Sequence, residues 1–172
     1  IVVGRVGSGL WMDSAGGGDP IQLTVPVGGE RHELAQVLPG GRAVLFTILS
    51  ANTPARAGIL ILFTGETRDL IEGIGARFVN SGHVIFGRQG QLWAVAFDPV
   101  SLRIYGTAPR VRDDVVWSAA GYPQFSVGGK LLAYVRARHA SPSLGKSTLV
   151  LVNRRGTSEQ LPLPPDNYML AR

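Results

Sequence analysis

A short hairpin recurs along this chain. Residues 35–46 read A-Q-V-L-P-G-G-R-A-V-L-F, two apolar runs joined by a Pro-Gly-Gly turn. Residues 77–86 (R-F-V-N-S-G-H-V-I-F) and 124–134 (Q-F-S-V-G-G-K-L-L-A-Y) repeat the pattern with drift. The turn glycines Gly41, Gly82 and Gly129 stand 41 and 47 residues apart. The flanking runs are rich in β-branched and aromatic residues, which suit a pleated surface. One such unit cannot bury its own apolar face. A hairpin returning at this interval therefore points to stacked β-repeats, most simply the blades of a β-propeller.

The rest of the chain agrees with that reading. Among 172 residues there are 23 glycines and 11 prolines, which suits many short strands joined by turns. Hydrophobic residues make up 45%, enough for a substantial core. No segment holds a helical period over three turns; residues 69–75 come nearest, and they are short. The expected repeats cover about 1–31, 32–75, 76–121 and 122–166. The first repeat shows three strands, and 167–172 opens like one more first strand that would complete the first blade. The expected fold is all-β: a β-propeller of about four four-stranded blades. It is either a complete small ring closed by its termini or a fragment of a larger propeller. Two chains pairing through open blades, as a homodimer, is the third arrangement. A long outer strand is expected over 103–111, with surface loops over 51–57, 113–121 and 138–146.

The repeats resemble TolB-like propeller repeats, related to the WD-repeat class, whose pattern is x-x-x-P-x-[FW]-S-P-D-G-x-x-[LI]-x-[FY]. The match is closest at residues 122–134, Y-P-Q-F-S-V-G-G-K-L-L-A-Y. L-P-G-G-R-A-V-L-F at 38–46, S-G-H-V-I-F at 81–86 and L-W-A-V-A-F-D at 92–98 are similar to phrases in the extracytoplasmic propellers of bacterial serine/threonine kinases. The turn aspartate of the pattern is replaced by Gly40, Ser81 and Gly128 in the three clear copies, which weakens the turn without abolishing the blade. No kinase motif is present. The resemblance implies a bacterial, periplasmic or cell-surface propeller that contacts a protein partner or a small ligand.

Chemistry is sparser than architecture. Cysteine is absent, so disulfides, thiolate metal sites and cysteine nucleophiles are excluded. The net charge is +5, but the basic residues are scattered singly, without the aromatic-lined stripe of a nucleic-acid binder. Nucleic acid is therefore disfavoured as a partner. No apolar run approaches the roughly 18–20 residues of a membrane span, so no membrane insertion is expected.

Three histidines, His32, His83 and His139, are spaced 51 and 56 residues apart. His32 and His83 fall near the first hairpin of their repeats, and are expected to converge at one channel mouth. With Asp19, Asp98 or Asp113 they would offer a site for a divalent metal; no other cofactor is expected. The commoner role of such histidines is on the surface or bonded into turns. Asp113-Asp114 reads as a solvated loop. Residues 140–147, A-S-P-S-L-G-K-S, have phosphate-loop spacing, but Pro142 removes a backbone donor and a strand follows where a helix is needed. Trp11 and Trp93 occupy equivalent third-strand positions, which suits packing. Trp117, Tyr122, Arg138 and His139 are the candidate binding residues. The leading functional expectation is a non-enzymatic interaction or ligand-sensing module. The alternatives are a propeller hydrolase or lactonase with a metal at His32 and His83, or the propeller part of a larger enzyme such as a peptidase or kinase.

Overall fold

Each repeat folds as an antiparallel meander, because its strands lie too close in sequence for anything longer than a hairpin or short loop between them. The computed structural model describes residues 1–14, 16–129, 131–137, 148–153, 155–166 and 168. Among these there is no helix. The first sheet holds β1 (Val2–Arg5), β2 (Gly9–Met12) and β3 (Ile21–Gln22). The second holds β4 (Arg31–Val37), β5 (Ala43–Leu49), β6 (Arg56–Ile61) and β7 (Thr67–Glu72). The third runs β8 (Ile74–Val79), β9 (His83–Arg88), β10 (Gln91–Asp98) and β11 (Arg103–Tyr105), with β12 (Arg110–Arg112) also on β10. The fourth holds β13 (Phe125–Gly128), β14 (Leu131–Arg136), β15 (Thr148–Asn153) and β16 (Ser158–Gln160).

Two local expectations change. The single outer strand at 103–111 is two short strands, both paired to β10. Gly106 takes a left-handed φ of 68° between them, and Pro109 has no N–H for a ladder, so the strand breaks there. The loop at 51–57 ends earlier, because β6 already begins at Arg56. The expected closing strand at 167–172 lies outside the described residues except for Tyr168, as do Arg138, His139 and the 140–147 loop.

The second sheet explains why its strands read as unbroken apolar runs. It is covered on both faces, so β5 is buried at six consecutive positions. Val44, Phe46 and Ile48 meet Leu10 of the first sheet. Leu45, Ala57 and Ile59 meet Phe78, Val84, Phe86 and Phe97 of the third. A smaller cluster, Leu92, Val115, Tyr134 and Val150 among its members, joins the third sheet to the fourth. This stack of meanders, each packed face to face on the next, is a β-propeller.

The first sheet is offset by one strand. β1 and β2 pack on β4 just as β5 and β6 pack on β8. β1 thus matches a second strand and β2 a third. Side chains confirm the offset. Trp11 on β2 sits opposite Val3, donates Nε1 to Ser8 O at 3.2 Å, and lies 4.5 Å beneath the Arg5 guanidinium. Trp93 on β10 sits opposite Phe86, donates Nε1 to Arg88 O at 3.1 Å, and lies 4.4 Å beneath Arg88. The two tryptophans are equivalent, each bracing a hairpin with an arginine over the indole.

Candidate binding site at the inner strands

β4 and β8, the first strands of their sheets, each carry a bulge at the same height. The register of β4 slips between Glu33 and Gln36, and Leu34 adopts a φ of 56°. That of β8 slips between Ile74 and Arg77, where Gly75 has a φ of 66°. A bulge leaves one residue out of the ladder and re-aims the side chains around it. Leu34 in left-handed backbone costs on the order of 1–3 kcal/mol, and cross-sheet bonds hold it there. Arg77 donates through Nη1 to Leu34 O at 2.7 Å and to Ala76 O at 3.2 Å. Gln36 bonds both the N–H and the C=O of Phe78, at 2.8 and 3.1 Å. Gly75 donates to Thr47 Oγ1 at 3.2 Å.

The fourth sheet reaches the same place from its leading segment. Trp117 bridges Pro123 across a tight turn, and Tyr122 in that turn points to the second sheet, where its hydroxyl donates to Glu33 Oε2. A cavity of about 350 Å³ lies between these elements. Its walls are apolar at Leu34, Ala120, Pro123 and Phe125, and polar at Glu33, Arg77, Tyr122 and Gln124. Arg31 stands 3.5 Å from the other Glu33 oxygen. Burial pushes the Tyr122 phenol up to about 12, the Glu33 hydrogen bond and charge add to the shift, and Arg31 opposes it. At neutral pH the phenol keeps its proton and acts as a donor.

The two candidate metal histidines do not meet. Across the second and third sheets Leu34 lies beside Arg77 and Gln36 beside Phe78, so β4 and β8 run in the same direction. His32 precedes this stretch and His83 follows it across the next hairpin, which puts them at opposite rims. His32 is 7% exposed, and both its ring nitrogens face partners. Thr24 Oγ1 accepts the Leu10 N–H at 2.9 Å and lies 2.8 Å from His32 Nδ1. On the other side of the ring Nε2 lies 3.7 Å from Glu30 Oε2. Burial lowers the His32 pKa; Glu30 pulls the other way. Its ring meets Phe46 edge-on at 5.0 Å. His83 is exposed, with Nδ1 3.0 Å from Ser81 O.

Of the suggested third ligands, Asp19 is exposed, and Asp98 and Asp113 are engaged elsewhere. Asp98 accepts from Val100 N and Ser101 N, and those bonds lower its pKa. Asp113 lies 3.7 Å from Arg110. Asp114 binds Tyr134 Oη and Arg136 Nε at 3.1 and 2.9 Å. Among the described residues no group of three or more His, Cys, Asp or Glu is placed to hold a metal ion. Trp117 packs its indole against Gly87 and Pro123: a Cβ on Gly87 would lie 2.7 Å from the indole Cη2. Sequence reasoning named Tyr122 but missed Glu33, Leu34 and Arg77. The only signal available was the acidic residue beside His32.

No protein-family model matches this chain, and no curated protein matches it either. Solved structures do. TolB from Acinetobacter baumannii superposes with a TM-score of 0.63 at 17% identity, over 93% of this chain and 40% of TolB. An oligogalacturonate lyase in complex with manganese gives 0.60 at 17%, over 86% of this chain and 42% of the lyase. Regucalcin from Agrobacterium tumefaciens strain C58, a calcium-binding protein, gives 0.62 at 14%, over 95% of this chain and 57% of regucalcin. This chain thus spans between about two fifths and three fifths of each. The likeness establishes a TolB-like β-propeller fold.

Proposed function

We propose that this propeller is a non-enzymatic binding module whose ligand, a small polar molecule or a short extended segment of a partner protein, occupies the cavity at the inner strands. The observation that carries this reading is the Tyr122–Glu33 bond, which ties the fourth sheet to the second in the wall of that cavity. Apolar walls with a few convergent polar groups are the usual make-up of a ligand site. The groups present favour recognition over proton transfer. A general base works best with a pKa near the operating pH, and a phenol that holds its proton to about 12 is a donor instead. Glu33 offers a carboxylate acceptor, and Arg77 a guanidinium fixed in place by two carbonyls.

Thermal-shift titration against a panel of amino acids, dipeptides and tripeptides tests the reading. A binder at this site raises the Tm of the native chain and loses most of that effect in Tyr122→Phe and Glu33→Gln. Stabilisation kept in full by both variants places the ligand elsewhere and ends the proposal. Metal analysis separates the enzymatic alternative: one divalent ion per chain, lost in His83→Ala, favours a metal-dependent hydrolase.

A further inference from the structure

The third and fourth sheets part company at one rim. Deep in their interface Leu92, Val115 and Tyr134 pack tightly. Nearer the turns at 80–82 and 128–129 a cleft of about 260 Å³ opens between the two faces. Its cause is in the sequence of β9 and β10. The face they turn to the fourth sheet carries Ile85, Ala94 and Ala96, where the opposite face carries Phe86, Trp93 and Phe97. Small side chains leave a gap that a well-packed interface would have closed. The walls are Ile85, Ala94, Val127, Leu132 and Val152. No acidic side chain lines the cleft among the described residues. Arg112 and His83 are its nitrogen-bearing side chains besides Asn153.

Arg112 is held but not saturated. Its Nη2 reaches Gly156 O and Ser158 Oγ at 3.3 Å each, long for N–H···O bonds. Its Nε is buried without an acceptor among the described residues. Its guanidinium lies over the Tyr134 ring, 5.9 Å from the centroid. A buried donor without a partner is costly, and a carboxylate is the group that a guanidinium fork matches best.

We infer that this cleft is a second ligand site, distinct from the inner-strand cavity, for a small amphiphilic carboxylate: an aliphatic or monoaromatic tail between the sheets and its carboxylate on Arg112. The volume fits such a tail. A dry apolar cavity of roughly 150 Å³ already accepts benzene, so about 260 Å³ suits a benzoate or hexanoate rather than a larger cofactor.

Methyl NMR of the full chain, titrated with hexanoate, benzoate and the uncharged control hexanol, tests the inference. The methyl signals of Ile85, Ala94, Val127 and Leu132 shift with both acids. Hexanol binds at least tenfold more weakly than hexanoate. Arg112→Gln weakens hexanoate at least tenfold and leaves hexanol unchanged. Ala94→Leu, which fills the cleft, weakens both acids at least tenfold, and Tyr122→Phe changes neither. If Ala94→Leu does not fold, the shift map and Arg112→Gln decide alone. Silence of the cleft methyls with both acids overturns the site. Equal binding of hexanoate and hexanol, or full hexanoate affinity in Arg112→Gln, overturns the assignment of a carboxylate.

Discussion

The third sheet has two unlike faces. Toward the second sheet it presents Phe78, Val84, Phe86, Val95 and Phe97, all buried, with Phe78 and Phe97 meeting edge to face at 5.7 Å. Toward the fourth it presents Ile85, Gly87, Leu92, Ala94 and Ala96. Only part of that second face is filled. Leu92 joins the smaller cluster, the Trp117 indole and Pro123 cover Gly87, and Ala94 and Ile85 are left half-buried beside the cleft. Neighbouring sheets of one repeat array are thus coupled very differently. In such arrays stability is close to a sum of repeat and nearest-neighbour terms. One interface here holds the array together, and the next leaves room for a ligand.

Truncation should expose that asymmetry first. Phe86→Ala removes a fully buried ring from the tight interface and should cost about 3–5 kcal/mol in urea unfolding. Leu132→Ala, on the cleft side and 7% exposed, should cost about 2 kcal/mol, the low end for a buried leucine, because one side of it already faces a void. Equal losses at the two positions would break the comparison.

A smaller effect tests the filled part of the looser interface. In Gly87→Ala the new Cβ would sit 2.7 Å from the Trp117 indole and 2.8 Å from Pro123 Cγ. Overpacking there should cost about 1–3 kcal/mol and shift the tryptophan emission. An unchanged spectrum and midpoint would mean that the indole is free to move aside.

Tyr122→Phe removes the link between the second and fourth sheets and should cost about 1 kcal/mol near neutral pH, since the site is half-exposed. The sign with pH follows from a folded-state pKa raised above the ordinary 10 to about 12. The stabilisation is fully present below pH 10 and fades as pH climbs through 12. Absorbance at the phenolate band should show one late-titrating tyrosine, missing in the variant.

The smallest effect lies at the first and second sheets. Burial lowers the His32 pKa below 6.5, so the neutral ring is the folded form. Its contribution is present above pH 6.5 and lost as pH falls below that value. The native chain should lose stability there, and His32→Asn, less stable at pH 7.5, should show a flatter profile in urea midpoints. Parallel profiles would assign the acid sensitivity to other groups.

Much of the fold was legible because hairpin chemistry is local. Gly41, Gly82 and Gly129 sit in turns between strands whose bounds lie within a few residues of expectation. The matched setting of Trp11 and Trp93 was also readable, since each indole bonds to its own hairpin. The site was not. Tyr122 and Glu33 are 89 residues apart, and nothing local to either announces the other.

The sequence by itself determined the all-β class, the repeat length and the hairpins, because turn residues and apolar runs act within a dozen residues of chain. Only the tertiary structure decided which rims His32 and His83 occupy, that two bulges aim Glu33 and Arg77 at one cavity, and that small residues on β10 leave a cleft. Those outcomes depend on the direction and face of one strand relative to another, and both change when the ladder slips by a single residue.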